Sequence, residues 1–177
     1  MKRLNTSLIM TVLLAMLAVA MFSCSDDDAP SVGSPELVTA TGVVMTLDGR
    51  WSATCVEDLG MNLSETLTFD GESIVVDILL YQDVDCATQV GSDRVDITFE
   101  AGGTIEVQLD GSAVTANKIS GLAVDSDGDS ESFRQIIYVD DRDGELKLYH
   151  GRFDSDGGGL TADGYPSELI PIAIVKE

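Results

Sequence analysis

The sequence predicts an all-β domain of about eight short antiparallel strands, wound as an up-and-down barrel or a sandwich behind an exported amino terminus. Three observations carry that expectation. Apolar and polar residues alternate in one short run after another, Asp-Gly pairs punctuate the runs, and no stretch after residue 40 holds a long helical period. A period of two buries one face of a strand and wets the other. Aspartate and glycine tolerate the positive φ that tight hairpin turns require.

The chain opens Met1-Lys2-Arg3, and from Leu8 to Phe22 only Thr11 interrupts an uncharged apolar run of 15 residues. A basic start, a short apolar core and a small residue before a cut make a secretory signal. The run falls short of the roughly 20 residues that a membrane-spanning helix needs. Two cleavage sites compete. Ala18-Val19-Ala20 fits the small-x-small pattern of ordinary signal peptidase and would release a soluble, secreted protein. Met21-Phe22-Ser23-Cys24 resembles the lipobox of bacterial lipoproteins, whose cysteine is lipidated and becomes the first mature residue. Met21 and Phe22 depart from the usual lipobox residues, whereas the polar, acidic Ser25-Asp26-Asp27-Asp28 suits a lipoprotein tether. The expectation is cleavage of residues 1–23, a lipid on Cys24 and a flexible acidic tether over 24–40, rich in Pro, Ser and Gly. Such a protein sits in the bacterial cell envelope, lipid-anchored to the outer membrane, facing the periplasm or the cell surface. Two or three acyl chains make a lasting anchor where one binds marginally.

Residues 41–177 make one domain's worth of chain. Alternation marks strands at Glu65–Phe69, Arg94–Phe99, Thr104–Leu109 and Glu145–Tyr149. Ser73–Tyr81 is more continuously apolar, as for a strand buried on both faces. Phe133–Val139 and Leu169–Val175 complete the set, with Pro171 placing the last at an edge or a strand start. Asp70-Gly71 stands directly between two strands as the clearest hairpin, and a short helical turn fits within Val56–Leu63.

Of three cysteines, a lipidated Cys24 leaves Cys55 and Cys86 as the sole intramolecular pair in an oxidising compartment. The alternative is two free, buried thiols. A zinc site is disfavoured, because His150 is the only histidine. Removing residues 1–23 takes the formal charge from −21 to −23. That charge argues against nucleic-acid binding and against lying flat on an anionic membrane, and it suits a soluble, self-repelling monomer.

Gly49-Arg50-Trp51 places Gly-x-Trp at the start of the first strand, followed by Cys55, the segment Tyr81-Gln82-Asp83-Val84-Asp85-Cys86, and Pro166-Ser167-Glu168-Leu169 before the last strand. In that order these motifs resemble a group of uncharacterised bacterial lipocalin-like, calycin-type lipoproteins. The resemblance implies an antiparallel up-and-down β-barrel closed at one end by Gly49 and Trp51. Lipocalins usually set a late-strand arginine over the tryptophan, and here the last strand offers Lys176 instead. The resemblance implies a barrel able to hold one small apolar ligand. The competing expectation is a non-catalytic surface protein whose barrel is filled by side chains.

Asp125, Asp127 and Asp129 look at first like calcium ligands. Ser130 stands where an EF-hand needs its turn glycine, and Ile136 replaces the bidentate glutamate. An acidic hairpin tip outweighs an irregular calcium site there, and the run Phe153–Gly159 carries the same ambiguity. No other cofactor is expected. No Gly-x-Ser-x-Gly accompanies His150, and no phosphate-cradling loop exists, so no catalytic residue is assigned. Trp51 reads as a core plug; Tyr81, Tyr138 and Tyr149 would line the interior or close the core.

Overall fold

A computed structural model describes residues 34–58, 60–152 and 159–177. The signal segment, Cys24, residues 25–33 and most of the second acidic run lie outside that set. The strands are β1 (Glu36–Val38), β2 (Val44–Thr46), β3 (Gly49–Asp58), β4 (Met61–Asp70), β5 (Ser73–Tyr81), β6 (Gln89–Leu109), β7 (Ser112–Asp125), β8 (Ser130–Asp140), β9 (Lys147–His150) and β10 (Ile174–Lys176). The strands β3 to β10 pair antiparallel, each with the next in sequence, and β10 closes onto β3. The result is a closed eight-strand up-and-down barrel with no edge left open. The small β1–β2 hairpin stands apart from the barrel sheet.

Hairpin geometry follows the turn residues. Gly71 takes φ 59° between β4 and β5, and Asp110 and Gly111 take 49° and 74° between β6 and β7. Two consecutive positive φ values define the tight turn whose twist matches that of the strands it joins.

Several expectations change. Thr104–Leu109 is not a separate strand: β6 runs unbroken from Gln89 to Leu109, with a bulge between Ala101 and Thr104 at Gly102-Gly103. The strand β7 had no alternation to announce it. Its Ala, Thr, Ser and Gly residues dilute the apolar period, and its Gly121 lies so close to Thr98 and Phe99 of β6 that a Cβ would collide with the Thr98 carbonyl. The described residues of 56–63 form no helical turn, because β3 and β4 pair up to Asp58 and Met61. The strand β5 is not buried on both faces: Ile74, Val76, Ile78 and Leu80 face inward, while Val75 and Leu79 are half-buried on the outside. In the last run only Ile174–Lys176 is strand.

The ordered fold also starts earlier than residue 41. Leu37 is 1 % exposed and packs in the main core with Leu47 and Trp51. Asn117, 3 % exposed, accepts a hydrogen bond from the Val38 N–H at 2.9 Å and donates to the carbonyls of Val38 at 2.9 Å and Ile137 at 3.2 Å. Its amide thus supplies β1 with the pairing a strand would give, and Asp141 accepts from the hydroxyls of Thr39 and Thr41. Composition alone hid this, since Pro35 and the small residues around it read as linker.

Two cores result. The first fills one end of the barrel and holds Trp51, Phe69, Ile74, Phe99, Ile137, Leu148 and Ile174. The second lies outside the barrel wall. Beyond the Gly102-Gly103 bulge the β6–β7 hairpin continues as an arm, and Val107 and Ala116 pack with Ile136, Tyr138 and Leu169. The strand β8 is therefore buried on both faces from Ile136 to Val139. Tyr138 and Tyr149 belong to this outer core, with ring centroids 5.9 Å apart, and neither lines the lumen.

Candidate binding site in the barrel lumen

The two ends of the barrel differ. At one, Trp51 is 0 % exposed and its indole Nε1 donates to the Leu47 carbonyl at 2.8 Å. Its ring meets Phe69 edge-on at 6.4 Å, and Phe69 meets Phe99 in the same way at 6.1 Å. The Lys176 ammonium stands 5.4 Å from the Trp51 ring centre, in the place where the sequence resemblance would put an arginine. Gly49 turns the chain into β3 at φ 113°, a conformation L side chains resist. The Asp48 carboxylate beside it accepts from the Gly71 N–H at 3.0 Å and the Ser34 hydroxyl at 3.2 Å. The amino-terminal segment thus joins the barrel at its sealed end.

The other end is hollow. A cavity of about 300 Å³ runs into the barrel. Leu67, Ile74, Val76, Ile119, Ile137 and Leu148 form its floor against the sealed core, and Val56, Met61, Leu63, Ile78, Leu80 and Phe133 line it toward the mouth. Each strand from β3 to β9 contributes alternate residues, as a pleated barrel requires, and Ile170 and Ile172 of the segment before β10 complete the lining. The small Ala123 and the glycine at 121 keep β7 from filling the space.

Polar groups are few and lie within this apolar wall: Asp58, Glu65, Glu131, Gln135, His150 and Arg152. His150 Nε2 lies 3.7 Å from Glu65 Oε2, with the two side chains 26 % and 17 % exposed. Burial pulls the imidazole pKa down, but the hydrogen bond and charge of Glu65, with smaller help from Asp58, raise it on balance above 6.5. Gln135 is spent on structure, since its Oε1 accepts from the backbone N–H of Ile136 at 2.8 Å and of Gly151 at 2.9 Å. Glu131 differs from both: its Oε1 is buried and has no hydrogen-bond partner among the described residues. Sequence reasoning missed Glu65 and Glu131. Each occupies an inward position of an alternating strand, where a carboxylate breaks the apolar pattern, and that break was the available signal.

Cys55 and Cys86 form a disulfide with Cα atoms 5.6 Å apart. It ties the bulge of β3 to the β5–β6 loop beside the mouth. The calcium reading of Asp125, Asp127 and Asp129 is not supported: the Asp125 carboxylate accepts from the N–H groups of Asp127 at 3.0 Å and Asp129 at 2.8 Å, closing the β7–β8 turn on itself. No group of three or more metal-ligating side chains gathers among the described residues. Nor is any helix among them long and apolar enough to cross a membrane.

The fold and lumen define a closed, all-β, eight-strand barrel with one sealed end and one hollow end. No protein-family model matches the chain, and no curated protein shows significant similarity to it.

Proposed function

We propose that this protein is a lipid-anchored bacterial envelope lipoprotein with a lipocalin-like barrel, which binds a small apolar ligand and performs no catalysis. The observation that carries the reading is the 300 Å³ apolar lumen, open at one end and sealed by Trp51 at the other. Eight strands leave an interior that side chains can fill or that can hold one small molecule, and here side chains leave it hollow. At roughly 30 Å³ per water-sized volume, the space suits a ligand of on the order of ten non-hydrogen atoms. The reading of Cys24 as the lipidated residue is supported by its setting: the apolar run before it, the acidic residues after it, and the disulfide that uses the other two cysteines. Because Ser34 joins the sealed end, a tether from Cys24 would present the mouth away from the membrane. The barrel would work as a monomer, without nucleic acid.

Extraction of the purified protein followed by mass spectrometry tests the binding reading. A stoichiometric lipophilic species is the expected result; a ligand-free protein that also takes up no apolar probe refutes it. Metabolic labelling with a fatty-acid probe tests the anchor. Label on the wild type and none on Cys24→Ala is expected, and equal labelling of both, or of neither, refutes lipidation.

A further inference from the structure

Three carboxylates line the lumen, and they are not equivalent. Glu65 is answered by His150 at 3.7 Å. Asp58 stands at the end of β3, beside the mouth. Glu131 is the first inward residue after the β7–β8 turn, pairs with Ala123 across the sheet and precedes inward-facing Phe133. One of its oxygens is buried and meets no donor among the described residues. A buried acceptor left unmatched is costly, and a carboxylate more so. The one guanidinium on the lumen lining, Arg152, is exposed. The lumen therefore combines a deep apolar floor with an acidic collar near its opening, where no ion pair among the described residues answers Glu131 or Asp58.

We propose that the lumen takes a single-chain amphiphile with a protonated amine head, its tail on Leu67, Ile74, Ile119 and Leu148 and its ammonium against Glu131. This rests on the ligand-binding reading above and adds the chemistry of the head group. An ammonium would supply the donor that Glu131 Oε1 lacks and would meet Asp58 as a second charge at the rim. A fatty acid of the same length would place a carboxylate against these two and against the protein's charge of −21. An alcohol would give Glu131 one hydrogen bond from a neutral donor, without an opposite charge. The tail-first direction follows from the order of the wall, in which Glu131 comes nearest the turn and Phe133 and Ile137 lie progressively deeper along β8.

The test compares decylamine, decanol and decanoate by isothermal titration calorimetry on the purified, delipidated protein at pH 7. Each is kept below its aggregation threshold, with butylamine as the control for charge without a tail. Two variants accompany the wild type: Glu131→Gln, and Ala123→Trp to fill the lumen. Asp58→Asn stands in if Glu131→Gln does not fold. Expected is one decylamine site, about tenfold or more tighter than decanol, because the ammonium adds an opposite charge to the hydrogen bond that a hydroxyl makes to the same carboxylate. Decanoate and butylamine bind at least as far below decanol. Glu131→Gln erases the amine preference while leaving decanol unchanged, and Ala123→Trp abolishes both. Decanol or decanoate binding as tightly as decylamine, or an amine preference that survives Glu131→Gln, overturns the head-group assignment and leaves the lumen as a site. Decylamine binding that survives Ala123→Trp places the amine on the acidic surface and overturns it too. No binding by any of the three overturns this inference and the ligand-binding reading together.

Discussion

Replacing both cysteines of the Cys55–Cys86 bridge should reveal two opposing contributions. The bridge closes a separation of 31 residues, and the loss of unfolded-chain entropy corresponds to about 3.7 kcal/mol of stabilisation at 25 °C. Both cysteines also sit in the left-handed region, at φ 53° and 52°. For a residue with a Cβ that conformation costs roughly 1–2 kcal/mol. Serine at both positions removes the cross-link and keeps the backbone penalty, so the whole 3.7 kcal/mol should be lost. Glycine at both removes the penalty as well, offset by about 0.5–1 kcal/mol per site of extra freedom in the unfolded chain. The glycine pair should therefore be more stable than the serine pair by about 1 kcal/mol in total. Equilibrium urea unfolding, in a Cys24→Ala background that leaves one thiol pair, measures all three proteins. A serine pair within 1 kcal/mol of the bridged protein, or a glycine pair no more stable than the serine pair, would refute the reasoning.

Three other perturbations have defined outcomes. Trp51→Ala should cost about 3–5 kcal/mol, because it empties the sealed end and leaves the Leu47 carbonyl without its donor; circular dichroism reads it, since no other tryptophan reports. His150 has a pKa raised by Glu65 and Asp58. Its contribution to stability should be complete below about pH 6.5 and fade as pH climbs through the higher folded value. Urea midpoints between pH 5.5 and 8.5 should show that decline in the wild type and not in His150→Gln, and parallel profiles would remove the pair from the account. Asn117→Ala strips partners from both backbone groups of Val38 and from the Ile137 carbonyl, at about 1–3 kcal/mol for each group left dry. Hydrogen exchange at Val38 should accelerate more than at Val139, and uniform acceleration would show that the clasp is not local.

The barrel was legible where side chains alternate in size and polarity. Ser73–Tyr81 had the bounds of β5, and the Asp-Gly pairs at 70–71 and 110–111 lie in the turns that join strands. Legibility failed where backbone geometry, not side-chain character, does the pairing. Gly121 makes β7 possible by having no Cβ, and a residue chosen for absence leaves no apolar mark. The Gly102-Gly103 bulge interrupts the alternation, so Arg94–Phe99 and Thr104–Leu109 read as two strands where the backbone makes one. The segment carrying Leu37 looked like linker because its partner, Asn117, lies 79 positions away from Val38. Of the lumen, the apolar walls could be anticipated from the inward positions. The Glu65–His150 pairing could not, since contact across a barrel depends on its stagger, which no local pattern encodes.

The outer core under the β6–β7 arm gives the cylinder unequal stiffness around its circumference. The strand β8 is clamped from within by Ile137 and Val139 and from without by Val107 and Leu169, so its opening requires two packed layers to separate. The strands β4 and β5 have only the inner layer, and their outer faces meet solvent. Breathing of the wall should concentrate on that thin side, where amide exchange would be fastest among the long strands. A guest larger than the resting volume would be accommodated by outward bowing of β4 and β5, while β8 keeps its shape from Ile136 to Val139.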